Sequence, residues 1–316
     1  MKPITFTLIL ICAVAIVSCR KDRNNVDIKT YDQQQIQQYM SANGLTSSMQ
    51  RDLTGGDTTG MYYQILTPGN TAKPAMDYPT QVSIVFTIKS FDGKYLATDT
   101  ISNHYYDFVG HLPQDSKILG KGVMLALVNN LKYVGGRMRL LVPSHLAFGA
   151  AGFGTGSSDA NNRIAGNQCL DYYINVIDDQ ATYDDVCIKN YILANNWKES
   201  DFTKLPSGVR YKITRAGVPS NTVTSTSVLE VQFSGYLFNG ALTADSYNTN
   251  TGTGVTIDLS TDSHTGLRQA LLYGTPGAQM TVLVPSTLAY STGSNGGTVP
   301  VNSCYRYDVN ILSVQQ

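Results

Sequence analysis

The chain has little charge and no excess of either sign: 23 Lys and Arg stand against 23 Asp and Glu in 316 residues, and charged types make up only 15% of it. That balance offers no electrostatic case for nucleic acid, and no run of like charge marks an interaction tail. Cysteine is scarce as well. Cys12 and Cys19 lie near the N-terminus, which leaves Cys169, Cys187 and Cys304. Three thiols allow at most one bridge, so a disulfide framework is excluded. The histidines, His104, His111, His145 and His264, show no ligand spacing with one another or with cysteine, and no metal site is expected. A Gly-x-Ser-x-Gly elbow and a phosphate-binding loop are both absent, which removes the serine-hydrolase and nucleotide-phosphate chemistries that depend on them. No apolar run is long enough for a comfortable membrane span.

Apolar types reach 42%, enough for globular cores, and the length suggests about two domains. The N-terminus stands apart. Met1-Lys2 is a basic start, Ile4 to Val17 is almost wholly apolar, and Ser18-Cys19 precedes the polar Arg20-Lys21-Asp22. This fits the apolar region of a secretory signal. Ile16-Val17-Ser18-Cys19 resembles a bacterial lipobox, which implies cleavage before Cys19 and lipid on its thiol. An ordinary signal peptide or an uncleaved anchor are the alternatives. Residues 1–18 are therefore expected to be a lipoprotein signal peptide, anchoring the chain to a membrane without a spanning helix.

The rest of the chain is written twice. Val142-Pro143-Ser144-His145-Leu146-Ala147-Phe148-Gly149 returns as Val284-Pro285-Ser286-Thr287-Leu288-Ala289-Tyr290-Ser291. Each copy ends an alternating apolar run (Met138, Leu140, Val142; Met280, Val282, Val284) of the kind that buries one face of a strand. A duplicated segment at fixed order is an architectural unit. Upstream, Tyr31 to Asn43 reads as a helix with Asp32 as cap and Ile36, Tyr39 and Met40 on one face; it returns from Tyr183, 152 residues on (183 − 31). Asp184-Asp185 reads as capping. Central strands alternate at Val82, Ile84, Phe86, Ile88 and at Leu229, Val231, Phe233, Gly235, each followed by hairpin chemistry, Asp92-Gly93 or Asn239-Gly240. Short helices are expected at 123–131 and 266–272. The last strands carry Leu170, Tyr172, Ile174, Val176 and Tyr305, Tyr307, Val309, Ile311. Cys169 and Cys304 sit at matching places, where a bridge between them is one option. Gly149 to Gly156 reads as a flexible flap.

Val-Pro-Ser-x-Leu-Ala-Phe/Tyr resembles the Ile-Pro-x-x-Leu-Ala-Tyr-Gly signature of FKBP-type peptidyl-prolyl isomerases. Gly208-Val209-Arg210-Tyr211-Lys212-Ile213, Gly266-Leu267-Arg268-Gln269-Ala270-Leu271 and Val299-Pro300-Val301-Asn302 resemble further segments of that family. The resemblance covers roughly residues 60–178 and 206–314. It implies an α+β chain of two FKBP-like domains, each a curved antiparallel β-sheet wrapped around a short α-helix and preceded by a short helix. The expected boundaries are 19–54 for the tether and N-terminal helix, 55–180 for the first domain, 181–205 for a linker helix and 206–316 for the second domain.

Carried over by motif, the family's pocket falls on Phe233, Leu267, Tyr290, Val299 and Tyr307 in the second repeat, and on Phe86, Leu125, Phe148, Ile164 and Tyr172 in the first. Tyr290 keeps a hydroxyl that can donate to a substrate carbonyl; Phe148 has none. Both repeats depart from the family where a Phe-Asp pair follows the hairpin: counting from the glycines puts Leu96-Ala97 and Thr243-Ala244 there, with Asp99 and Asp245 out of register. The resemblance implies a peptidyl-prolyl isomerase with no cofactor, acting on Xaa-Pro-containing polypeptide clients at the bacterial cell envelope, with the second domain the better candidate for activity. The alternative is a degenerate FKBP-like chaperone or peptide-binding scaffold.

Overall fold

The computed structural model describes residues 27–114, 118–156, 163–219, 222–246, 254–293 and 298–315. The expected signal peptide, the lipidation site Cys19 and the start of the tether lie outside the described residues. Among those described, no helix is long and apolar enough to cross a membrane.

In the first repeat, helix α1 spans Ile28–Ala42, and Asp27 caps it by accepting from the Thr30 N–H. Strands β1 (Gln50–Arg51), β2 (Tyr62–Thr67), β3 (Gln81–Ser90), β4 (Leu96–Ala97), β5 (His104–Phe108), β6 (Arg137–Val142) and β9 (Leu170–Ile177) build one antiparallel sheet in the order β1-β2-β6-β9-β3-β4, with β5 also on β3. Short helix α2 (Lys121–Ala126) continues as a wider turn to Leu131 and fills the sheet's inner face. The expected flap is partly ordered: β7 (Phe153–Gly154) pairs with β8 (Arg163–Ile164) as a small ribbon, Phe153 opposite Ile164.

The second repeat copies this plan. Helix α3 (Gln180–Ala194) is capped by Asp179, which accepts from the Thr182 N–H at 2.6 Å. Strands β10 (Thr203–Lys204), β11 (Arg210–Arg215), β12 (Val228–Leu237), β13 (Leu242–Asp245), β14 (Val255–Asp258), β15 (Gln279–Val284) and β16 (Tyr305–Gln315) take the order β10-β11-β15-β16-β12-β13, with β14 also on β12. Helix α4 (Thr265–Leu271) lies where α2 lies in the first sheet. The glycines fix that equivalence. A Cβ on Gly122 would meet Val142 Cγ1 and Leu146 Cβ; one on Gly266 would meet Val284 Cγ1 and Leu288 Cβ. Each short helix therefore touches its sheet through a glycine, at a distance no other residue permits. Both domains are α+β units of one plan, an antiparallel sheet packed on a short helix.

Asp32 and Asp184 are not the caps the sequence suggested. Both are buried one turn inside their helices. Asp32 accepts from the Ser144 hydroxyl at 2.7 Å and from His145 Nδ1 at 2.8 Å; Asp184 accepts from the Ser286 N–H at 2.8 Å and its hydroxyl at 2.7 Å. The serine of each Val-Pro-Ser segment thus clasps the preceding helix to the sheet, and burial pushes the Asp184 carboxyl up. A stacked ring pair sits beside each clasp, Tyr39 on Phe91 at 3.9 Å and Tyr191 on Phe238 at 4.0 Å. Cys169 and Cys304 lie under different helices, in separate apolar clusters, and are unpaired.

Alternation predicted one solvent face for β3, yet Ser83 and Val85 are buried with the core residues between them. The cover is α3 and the second domain. The Ser83 hydroxyl donates to Gln180 Oε1 at 2.9 Å, faces His104 Nε2 at 2.9 Å and accepts from Asn302 Nδ2 at 3.2 Å. Asn239 Nδ2 donates to Asp99 at 2.7 Å, and Ile101 packs on the second domain's core.

Candidate functional site

In the second domain the sheet register assembles a group of rings. Phe233 on β12 lies opposite Val309, Gly235 opposite Tyr307 and Leu237 opposite Tyr305; on β15, Val282 and Val284 face the same two tyrosines. Period-two alternation then points Phe233, Tyr305 and Tyr307 to the inner face. Gly235 makes room for them, since a Cβ there would strike the Tyr305 ring. Phe233 meets Tyr307 edge to face at 5.7 Å, Tyr305 lies 4.7 Å from Tyr307, and Tyr290 lies 5.1 Å from Tyr305. Such offset contacts are favourable beyond the area they bury.

Depth grades across the group. Leu267, Val299, Tyr305 and Tyr307 are buried and form the floor, whereas Phe233 and Tyr290 are half-buried at the surface. Tyr290 is held at the rim by a bridge to Ser303. Burial, followed by the neighbouring Tyr290 hydroxyl, pushes the Tyr307 hydroxyl far up; burial pushes Tyr305 up to about 12 against the lowering contact with Thr243. Both phenols are therefore neutral donors at ordinary pH. The result is an apolar ring cluster with buried hydroxyls beneath it and two half-buried rings at the surface, here called the basin.

The first domain places its matching residues together and buries its phenylalanine deeper. Phe86 is 2% exposed where Phe233 is half-buried, while Ile164 and Tyr172 are as buried as Val299 and Tyr307. The Tyr172 hydroxyl donates to the Ile118 carbonyl at 2.8 Å, and Leu119 and Tyr95 are buried in the same core. Phe148 packs on Phe153 of the β7–β8 ribbon at 4.8 Å, over the buried Ile164. One assignment needs correction. With Gly122 equivalent to Gly266, the counterpart of Leu267 is the buried Val123; Leu125 matches Gln269 on another face of the short helix and is only half-buried. Counting back from the signature strand misses this because the first domain has two extra residues between α2 and its strand, Gly122 to Val142 against Gly266 to Val284.

The stretch that follows each hairpin is also visible. A bulge on β13 leaves Tyr236 opposite Leu242 and Gly235 opposite Ala244, with Thr243 between, and the Thr243 hydroxyl meets that of Tyr305. Asp245 lies opposite Ser234, whose hydroxyl donates to it at 3.1 Å, on the sheet face turned away from Phe233. In the first domain Asp99 faces the other way, toward Asn239.

Sequence reasoning weighed His264 only as a metal ligand and missed its place here. It stands immediately before α4, its ring 6.3 Å from Phe233 and 6.2 Å from Tyr307, with the side chain 33% exposed. Its position two residues before Gly266 in the family-like segment was the available signal.

Residues 220–312 match the family model of FKBP-type peptidyl-prolyl cis-trans isomerase. The second domain is thus of FKBP type, and the first repeats its fold strand for strand. No curated protein matches the sequence. Among solved structures, the three FKBP domains of wheat FKBP73 align at 19% identity and TM-score 0.32, covering 85% of this chain and 99% of that one. FkpA from Escherichia coli aligns at 24% identity and TM-score 0.36, covering 43% of this chain and 61% of that one. A peptidyl-prolyl isomerase from Pseudomonas syringae aligns at 18% and TM-score 0.36, covering 44% and 98%.

Proposed function

We propose that the chain is a peptidyl-prolyl cis-trans isomerase, that the second domain is its active copy, and that it assists the folding of exported proteins from a lipid anchor at Cys19 in the cell envelope. The observation that carries this reading is the cluster of Phe233, Leu267, Tyr290, Val299, Tyr305 and Tyr307, half-buried at Phe233 and Tyr290, within the segment that matches the FKBP-type family model.

The chemistry asks for no nucleophile. Twisting a peptide bond costs about 18–20 kcal/mol because amide resonance is lost. In Xaa-Pro bonds cis and trans lie within about 1 kcal/mol and exchange slowly. A planar amide is more polar at its carbonyl than a twisted one. A dry aromatic basin therefore disfavours the planar ground state relative to the twisted state, and that differential is what lowers a barrier. The ring walls hold the pyrrolidine at small entropic cost, and the Tyr290 hydroxyl is placed at the lip to donate to the substrate carbonyl.

One observation favours a second reading, a non-catalytic chaperone or scaffold for proline-containing segments: Thr243 and Ala244 occupy the stretch where the family carries Phe-Asp. A proline-limited refolding assay with the intact chain separates the two. Acceleration that Phe233→Ala removes supports the isomerase. An inert chain that still suppresses aggregation of its clients would replace it with the chaperone. For the anchor, mass analysis of the envelope-extracted protein should show an acylated N-terminal Cys19, lost in Cys19→Ala.

A further inference from the structure

The basin has one polar group at its lip that the reading above does not use. The Asp262 carboxylate accepts the His264 backbone N–H at 2.7 Å and faces the ring Nδ1 at 2.8 Å, both at Oδ1. An ionised carboxylate only accepts, so the Nδ1–H donates to it, and a ring that carries this one proton has its lone pair at Nε2. No described residue hydrogen-bonds Nε2. The ring stands at 88° to Tyr307 and 59° to Phe233, beside both, with its side chain 33% exposed. Arg268 secures the loop by donating to the Asp262 carbonyl at 2.8 Å.

We propose that His264 is a substrate-contacting residue of the second domain, its Nε2 accepting a hydrogen bond from a backbone N–H beside the bound proline. This rests on the basin being the proline site. Proline itself has no N–H, but the residues on either side of it do. A segment laid across the basin buries its apolar ring and strips water from those flanking amides, and an amide left without an acceptor weighs against binding. The lip otherwise offers Phe233, which has no acceptor, and Tyr290, whose hydroxyl is engaged with Tyr307. The Asp262–His264 pair supplies a fixed acceptor from the start of α4. It also places a polar group beside the basin from a different element than the one on which the family's acid is missing. The first domain has no equivalent. The position matching His264 is Gly120, where even a Cβ would lie 3.1 Å from Ala147 Cα and from the Leu146 carbonyl oxygen.

The test uses the intact chain and a fluorescent Xaa-Pro tetrapeptide, with two further peptides N-methylated at the amide before or after the proline. His264→Phe keeps the ring wall and removes the acceptor; it should weaken binding about five- to tenfold, the usual worth of one such bond. His264→Gln, which restores an acceptor, should recover part of that loss. N-methylation of one flanking amide should cost wild type the same factor and His264→Phe nothing further. Equal losses on N-methylation in both proteins, or wild-type affinity in His264→Phe, would overturn the assignment while leaving the basin intact. A wild-type chain that binds none of the peptides would overturn both, and circular dichroism melts confirm that each variant is folded.

Discussion

The two domains keep the same clasp and differ in the basin. In both, a buried aspartate one turn into the helix holds the serine of the Val-Pro-Ser turn, and a stacked Tyr-Phe pair lies alongside. The rest of each helix seat has drifted freely. Tyr62 takes hydrogen bonds from Gln33 and Gln37 in the first domain, while at the matching positions Arg210 pairs with Asp185, which Lys189 and Lys204 also reach. Neutral and ionic solutions satisfy the same seat, so what both copies retain is the Asp-Ser clasp and not the chemistry around it. At the basin the copies part. Phe86 is buried in the first, with Phe148 packed on the β7–β8 ribbon, whereas Phe233 is half-buried in the second beside His264. Ser83 and Ile101 of the first domain dock on the second.

This contrast can be tested by paired substitution. The largest effect is expected from Phe86→Ala, which empties a fully packed site and should cost about 3–5 kcal/mol of stability, read by urea denaturation, with little change in isomerisation. Phe233→Ala should do the reverse, lowering isomerisation about tenfold or more as an anchor ring is lost, with a smaller stability cost because the ring is only half-buried. Equal profiles for the two variants would erase the distinction between support and site. Next in size, Asp184→Ala strips the Ser286 N–H and hydroxyl of their acceptor and should destabilise the chain by about 1–3 kcal/mol, with Asp32→Ala close to it. Tyr290→Phe removes one hydroxyl at the lip and should slow isomerisation roughly fivefold, the size of one hydrogen bond, and cost about 1 kcal/mol of stability as the buried Tyr307 hydroxyl loses its partner. The smallest effect concerns acid. Lys204, with Lys189 and Arg210, holds the Asp185 carboxyl below its ordinary value of 3.8. Its contribution is present above that value and is lost as pH falls below it toward the depressed folded one, so an acid titration should loosen α3 from the second domain before α1 from the first, where Gln33 stands instead.

Much of this was legible in the sequence because it is written in periods and repeats. Strand alternation, hairpin glycines and the doubled Val-Pro-Ser segment located both sheets and the ring positions on them. What could not be read was contact across distance. Asp32 and Asp184 have the look of caps because Asp caps helices, and only the folded chain brings Ser144 and Ser286 to them. Ser83 reads as a solvent-facing position until α3 and Asn302 cover it. Leu125 was matched to Leu267 by counting, and a two-residue difference in spacing moved the match to Val123. His264 escaped notice because nothing local ties it to Phe233, which lies on a different strand of the sheet.

The most direct test is a titration of the isotopically labelled chain with an Xaa-Pro peptide, followed by amide and ring chemical shifts. The account predicts shifts at Phe233, His264, Tyr290 and Tyr307, with Phe86, Phe148 and Tyr172 unmoved. Shifts centred on the first domain's rings, or none in the second, would contradict it.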